Sequence, residues 1–146
     1  MHGALHIFDT ASEIIKVRYN GDECLKTQIS KKIKDGEFPI IVSEGTSEQK
    51  KSKIIQNAYL KHCFESLSQI EGSLIIFGTR LKKSDSHIKE AIQNSKITSI
   101  YIGLNKNDVE LKKTINSFKY DFEKLGENAI NFYDYNSVSV WKNKKI

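Results

Sequence analysis

Ser73-Leu74-Ile75-Ile76-Phe77 and, further along, Ile97-Thr98-Ser99-Ile100-Tyr101-Ile102 are short apolar runs that stop at Gly78 and Gly103. Two more runs, Phe38 to Ser43 and Ala129 to Tyr133, have the same character. Hydrophobicity that is continuous rather than alternating reads as a strand covered on both faces, as in a parallel sheet with helices on each side. The intervening segments carry helical periodicity, and strand-helix alternation predicts right-handed crossovers. The expected fold class is α/β, a doubly wound, mostly parallel, Rossmann-like sheet.

The helices are read from spacing and caps. Ile55, Tyr59, Cys63, Leu67 and Ile70 lie on one helical face. The start of this helix, Thr46-Ser47-Glu48-Gln49, has the form of a capping box, and Gly72 supplies its stop. A shorter helix follows Ser84 or Asp85 and uses Ile88, Ala91 and Ile92. A third carries Leu111, Ile115, Phe118, Phe122 and Leu125, with Asn107 or Asp108 as cap and Gly126 as terminator. Ahead of this frame, Ala4 to Asp9 and Ile14 to Tyr19 are strand-like, separated by Thr10, Ala11 and Ser12, which predicts a β-hairpin. Leu25, Ile29 and Ile33 then mark an amphipathic helix ended by Gly36. The whole, residues 1–146, is read as a single α/β domain.

Composition narrows the function classes. With 146 residues, 38% hydrophobic and 28% charged, the chain is of ordinary globular type. No stretch approaches the roughly 18 apolar residues of a membrane span, and the first residues do not read as a signal peptide. Cys24 and Cys63 are too few for a disulfide framework or a zinc tetrad, so a cytoplasmic setting without a metal is expected. His2 and His6 fall on one side of a strand, but no third ligand lies nearby in sequence. The net charge is +5, yet Arg18 and Arg80 are the only arginines and the lysines are scattered, which disfavours nucleic acid.

In open α/β sheets ligands sit beyond the carboxyl ends of the strands. That rule selects Glu44-Gly45-Thr46-Ser47, Gly78-Thr79-Arg80, Gly103-Leu104-Asn105 and Asp134-Tyr135-Asn136. Glycine lets backbone approach a ligand, and helix N-termini offer N–H groups to anions. Each segment also has a purely structural account: a turn and cap at Gly45 and Thr46, a strand terminator at Gly78, an Asx turn at Asn105. Arg80 draws notice as one of two arginines, placed at a strand end. His62 reads as a packing or surface residue of a helix, and His87 sits in a helix's first turn, where Asp85 either orients it or caps the helix. No Ser-His-Asp order, Walker loop or GxGxxG is present.

Three stretches carry a family resemblance. Met1-His2-Gly3-Ala4-Leu5-His6-Ile7-Phe8-Asp9-Thr10 resembles a characteristic segment of a bacterial family catalogued as domain of unknown function 4917. So do Phe38-Pro39-Ile40-Ile41-Val42-Ser43-Glu44-Gly45-Thr46-Ser47-Glu48-Gln49-Lys50 and the block from Gly72 to Gly78 with Asp85-Ser86-His87-Ile88. That family in turn resembles sirtuin-like NAD-binding domains. His2-Gly3 is similar to the sirtuin His-Gly pair, which implies His2 as general base on the nicotinamide ribose. Gly78-Thr79 is similar to the Gly-Thr-Ser element beside the cofactor, and Asn105 to the asparagine at the adenosine ribose. With Arg80 and Asp134 added from the strand-end rule, the candidate set is His2 for catalysis and Gly3, Gly78, Thr79, Arg80, Asn105 and Asp134 for NAD.

Arg80 stands where that motif has serine, and the missing zinc ribbon argues against a conventional deacetylase. The resemblance implies a longer N-terminus, so the chain is expected to be the C-terminal portion of a sirtuin-like domain, inactive alone. An incomplete sheet would expose an edge that invites pairing, hence an expected homo-oligomer. The complete protein is expected to bind NAD and to hydrolyse it with release of nicotinamide. The alternatives are a non-catalytic nucleotide sensor and an interaction module using the tail Lys142-Asn143-Lys144-Lys145.

Overall fold

A computed structural model describes residues 2–10, 12–19 and 21–138; the basic tail lies outside them. The chain divides into two compact units, residues 1–64 and 65–146.

The first unit is built on an antiparallel sheet. Strands β1 (Gly3–Asp9) and β2 (Ile14–Lys16) form the expected hairpin, with Phe8 opposite Ile15. Thr10 ties the turn: its N–H and hydroxyl both donate to the Glu13 carbonyl at 2.9 Å, and its Oγ1 accepts the Glu13 N–H at 3.1 Å. The third strand, β3 (Pro39–Ile41), pairs antiparallel to the other edge of β1, giving the order β2-β1-β3. The run Phe38 to Ser43 is therefore not a strand of the parallel sheet. Pro39 has no N–H to give a ladder, which suits an edge strand. Phe38, 73% exposed, is not covered on both sides. An apolar run encodes burial poorly and pairing direction not at all.

Helix α1 (Leu25–Lys34) ends where Gly36 adopts φ +85°, and Lys31, Lys32 and Lys34 place positive charge in its last turn, where the helix dipole favours it. Lys32 also bonds Glu37 at 2.7 Å and lies over the buried ring of Phe8. The long helix expected after Thr46 is two, α2 (Ser47–Gln56) and α3 (Ala58–Leu67). Its capping box forms as read: Thr46 Oγ1 accepts the Gln49 N–H and Gln49 Oε1 accepts the Thr46 N–H. The break is at Asn57, whose backbone is extended (φ −102°, ψ 120°). Its Oδ1 accepts the Leu60 N–H at 3.0 Å, capping α3, and its Nδ2 donates to Asp9 at 2.9 Å. Side chains that cap compete with helical backbone bonds, so one asparagine interrupts an otherwise unbroken apolar stripe. Val42, Ile54 and Leu60 form the core of this unit, with Ile40, Tyr59 and Phe64 packed on it.

The second unit holds the parallel sheet. Strands β4 (Glu71–Ile76), β5 (Lys96–Leu104) and β6 (Ile130–Asp134) lie in the order β4-β5-β6. Helices α4 (Ser86–Gln93) and α5 (Leu111–Asp121) make the crossovers. This is a mixed α/β chain, as expected, but its described parallel strands follow one direction, without the reversal of order that double winding requires. Among the described residues the sheet is not evenly covered: Ile97, Ile100 and Ile102 are buried, whereas Ile75 (67%) and Tyr101 (43%) are exposed. Gly72, expected to stop a helix, lies inside β4. Helix α5 is preceded by Glu110 rather than Asn107 or Asp108, and Phe122 stacks on Phe118 just past its end. Among the described residues, no helix is long and apolar enough to cross a membrane.

Asn57→Ala removes both the cap and the tie to Asp9. Unfolding stability should fall by about 1–2 kcal/mol, read as a lower urea midpoint at unchanged slope. Asn57→Ser, which keeps an acceptor for Leu60, should recover most of that loss. An unshifted Asn57→Ala midpoint would show that the helix break does not depend on this side chain.

Candidate functional site

The parallel strands align their carboxyl ends, since Ile76 pairs with Ile102 and Leu104 with Asp134. Three chain segments therefore leave the sheet side by side. After β4, Gly78 turns the backbone at φ +73°. Thr79 Oγ1 accepts the Leu81 N–H at 3.2 Å, and Leu81 is the one non-glycine residue at positive φ (43°) among the described residues. Its side chain is nonetheless buried. Arg80, held between these two, bonds Asp108, and its other nitrogen lies 3.3 Å from Glu110.

After β5, Asn105 Oδ1 accepts the Asn107 N–H at 3.0 Å and its carbonyl accepts that of Asp108, also at 3.0 Å. Asp108 Oδ1 takes the Glu110 N–H at 3.0 Å, leaving the other carboxylate oxygen for Arg80. After β6, Tyr135 meets Phe77 edge to face with centroids 6.0 Å apart. Gly103 faces Tyr133 so closely that a Cβ would come within 2.8 Å of the ring. These segments enclose a cleft of about 260 Å³ whose polar walls are Thr79, Arg80, Asn105 and Asp108, with Tyr135 as its aromatic wall.

Four of the expected cofactor residues, Gly78, Thr79, Arg80 and Asn105, thus share one cleft. Asp134 ends the neighbouring strand but lines a separate depression of about 190 Å³. Its Oδ1 accepts two bonds from Asn136 at 3.1 Å, and its Oδ2 lies 3.7 Å from Lys106. His2 and Gly3 belong to the first unit, where the His2 carbonyl accepts the Val42 N–H at 2.8 Å. The segment Glu44-Gly45-Thr46-Ser47 also lies there, and its structural account is realised: a Cβ on Gly45 would sit 2.8 Å from Gln49 Oε1, so glycine makes room for the capping box. His87, at 2% exposure, is a buried residue of α4.

Asp108, a wall of the cleft, and Glu110, which meets Arg80 from outside it, are not among the site residues the sequence singles out. Two acids spaced two apart beyond a strand end were the available signal, but their arginine lies in another segment. Tyr59, one turn before Cys63 on α3, has its phenol pushed above its ordinary range by the neighbouring thiol and then by burial. Among the described residues no group of three His, Cys, Asp or Glu side chains is assembled that could hold a metal.

The family model described as "Domain of unknown function (DUF4917)" matches residues 1–141. The chain belongs to that family. No curated protein and no solved structure matches it. Membership of DUF4917 therefore rests on nearly the whole chain, while the resemblance to sirtuins rests on short motifs.

One of those motifs has a structural account in this DUF4917 chain. Gly3 has φ +76°, and a Cβ there would lie 2.0 Å from the Ile40 carbonyl oxygen, because β1 meets β3 at Gly3 and Ile41. Gly3→Ala combines left-handed strain with a backbone clash, and is expected to cost at least about 2 kcal/mol. Thermal or urea unfolding checks this; unchanged stability would return Gly3 to the list of residues kept for a ligand.

Proposed function

We propose that the cleft at the carboxyl ends of β4, β5 and β6 binds a nucleotide of the NAD type. The observation that supports this most is the convergence of Gly78, Thr79, Arg80 and Asn105, from two strand ends, on one cleft at the edge where parallel sheets take ligands. The charge balance suits the hydroxyl-rich part of such a ligand. Arg80 is flanked by two carboxylates, and Asp108 with the Asn105 amide offers acceptors and donors to a ribose. Tyr135 supplies a ring against which a base can pack.

The catalytic part of the proposal rests on the resemblance. Loss of nicotinamide leaves an oxocarbenium-like centre that water or a ribose hydroxyl attacks, and His2 serves as the proton acceptor, imidazole being suited to that work near neutral pH. Correct positioning of the reactant lowers such a barrier by several kcal/mol.

Calorimetric titration of NAD tests the binding step. Asn105→Ala should weaken it roughly threefold to tenfold, the worth of one ordinary hydrogen bond. His2→Ala should abolish nicotinamide release and leave the Kd within about twofold of the unaltered protein. Binding without release would favour a nucleotide sensor over a hydrolase, and no binding at all would end the reading.

A further inference from the structure

A second concavity adjoins the cleft and is different in charge. It is a groove of about 400 Å³ between the segment Arg80–Lys83, α4 and α5. Five cations, Arg80, Lys82, Lys83, Lys89 and Lys113, line it against two carboxylates, Glu110 and Asp121. The pairings decide which charge is available. Lys89 is largely buried and bonds Asp121, and Arg80 is held by Asp108 and Glu110. Lys113 approaches Glu110 only to 3.7 Å and is mostly exposed. Lys82 and Lys83 are exposed and have no ion-pair partner among the described residues. The hydroxyls of Ser86 and Thr114 complete the wall.

Ammonium groups and hydroxyls presented together, with the nearby acids already engaged, match a ligand rich in acceptors and carrying more than one negative charge. A phosphoryl group has that character. A concave site also concentrates its field more than the same lysines on a flat surface would. Arg80 lines both the groove and the cleft, so the two are adjoining compartments with one guanidinium between them.

We propose that this groove is an anion site for a phosphate or diphosphate, the phosphorylated end of a ligand whose nucleoside end occupies the cleft. The groove's preference for phosphoryl groups stands on its own lining; the link to a nucleoside rests on the nucleotide reading above. Lys82, Lys83 and Lys113 supply the attraction, while Arg80, neutralised by its carboxylates, fixes the boundary.

Three probes separate the parts: inorganic pyrophosphate for the groove, adenosine for the cleft, and ADP for both. Titrated into the full chain, pyrophosphate should bind, weaken as salt rises, and lose at least about tenfold in affinity in Lys82→Glu/Lys83→Glu. Adenosine affinity should be the same in both proteins, and ADP should bind more tightly than either probe. Lys82→Gln/Lys83→Gln, which only removes charge, should give an intermediate loss, and circular dichroism should show both variants folded. Pyrophosphate that fails to bind, or binds the charge-reversed protein equally well, overturns the groove whatever adenosine does. Charge-sensitive pyrophosphate binding without adenosine binding would keep the anion site and remove the nucleoside assignment. Charge-sensitive retention of a DNA oligonucleotide in the absence of pyrophosphate binding would overturn the proposal in favour of a polyanion surface.

Discussion

Strand β5 is hydrogen-bonded on both edges in the parallel sense, to β4 from Lys96 to Ile102 and to β6 from Ile100 to Leu104. Everything at the candidate site depends on that pairing. Parallel strands end on the same side, so the segments opening with Gly78, Asn105 and Tyr135 emerge together although they are distant in sequence. Antiparallel pairing would send neighbouring ends in opposite directions, as it does for β1 and β3 in the first unit. The buried Ile97, Ile100 and Ile102 side chains hold β5 in the core, and the residues after Leu104 lie beyond the end of the strand.

The ion pairs of Arg80 set the chemistry on either side of it. A lone arginine at a strand end would pull on any anion. With Asp108 and Glu110 against it, its charge is spent locally and its planar donor fork becomes a spacer of fixed geometry. Exposed ion pairs contribute little to stability, so the arrangement is better understood as a divider of charge than as a staple. The cleft on one side is left with carboxylate and amide groups suited to hydroxyls. The groove on the other side keeps the uncompensated lysines.

What the sequence disclosed was local. The Thr46–Gln49 capping box, the β1–β2 hairpin and the helix stop at Gly36 each depend on residues a few positions apart, and each forms as expected. The strand-end rule selected Gly78, Thr79, Arg80 and Asn105, which line one cleft, and Asp134, which lines another depression, because the rule needs only strand boundaries. What escaped was set by partners far along the chain. Phe38 to Ser43 has an apolar composition compatible with either sheet, and its pairing with β1 is decided by the hairpin. Asn57 looks like any polar residue on a helix until Asp9 and Leu60 engage both ends of its amide. Asp108 read as a helix cap because nothing nearby in sequence announces that Arg80 will reach it. His2 remains a chemical proposal from resemblance, for its motif partner Gly3 is required by the close approach of β3 whatever the function.

Leu81 shows how the site segment holds its shape. A leucine at φ 43° pays a conformational cost of about 1–2 kcal/mol. Burial of its side chain contributes about 1.5–3 kcal/mol, and Thr79 supplies a hydrogen bond to its N–H. The gain covers the strain only while the side chain stays anchored. A glycine would remove the strain and the anchor together, leaving a looser segment. With the anchor in place, Arg80 before it and Lys82 after it are fixed on either side of a buried pivot. Arg80 lines both the cleft and the groove while Leu81 and Lys82 line the groove alone, so the buried leucine marks where the segment passes from one to the other.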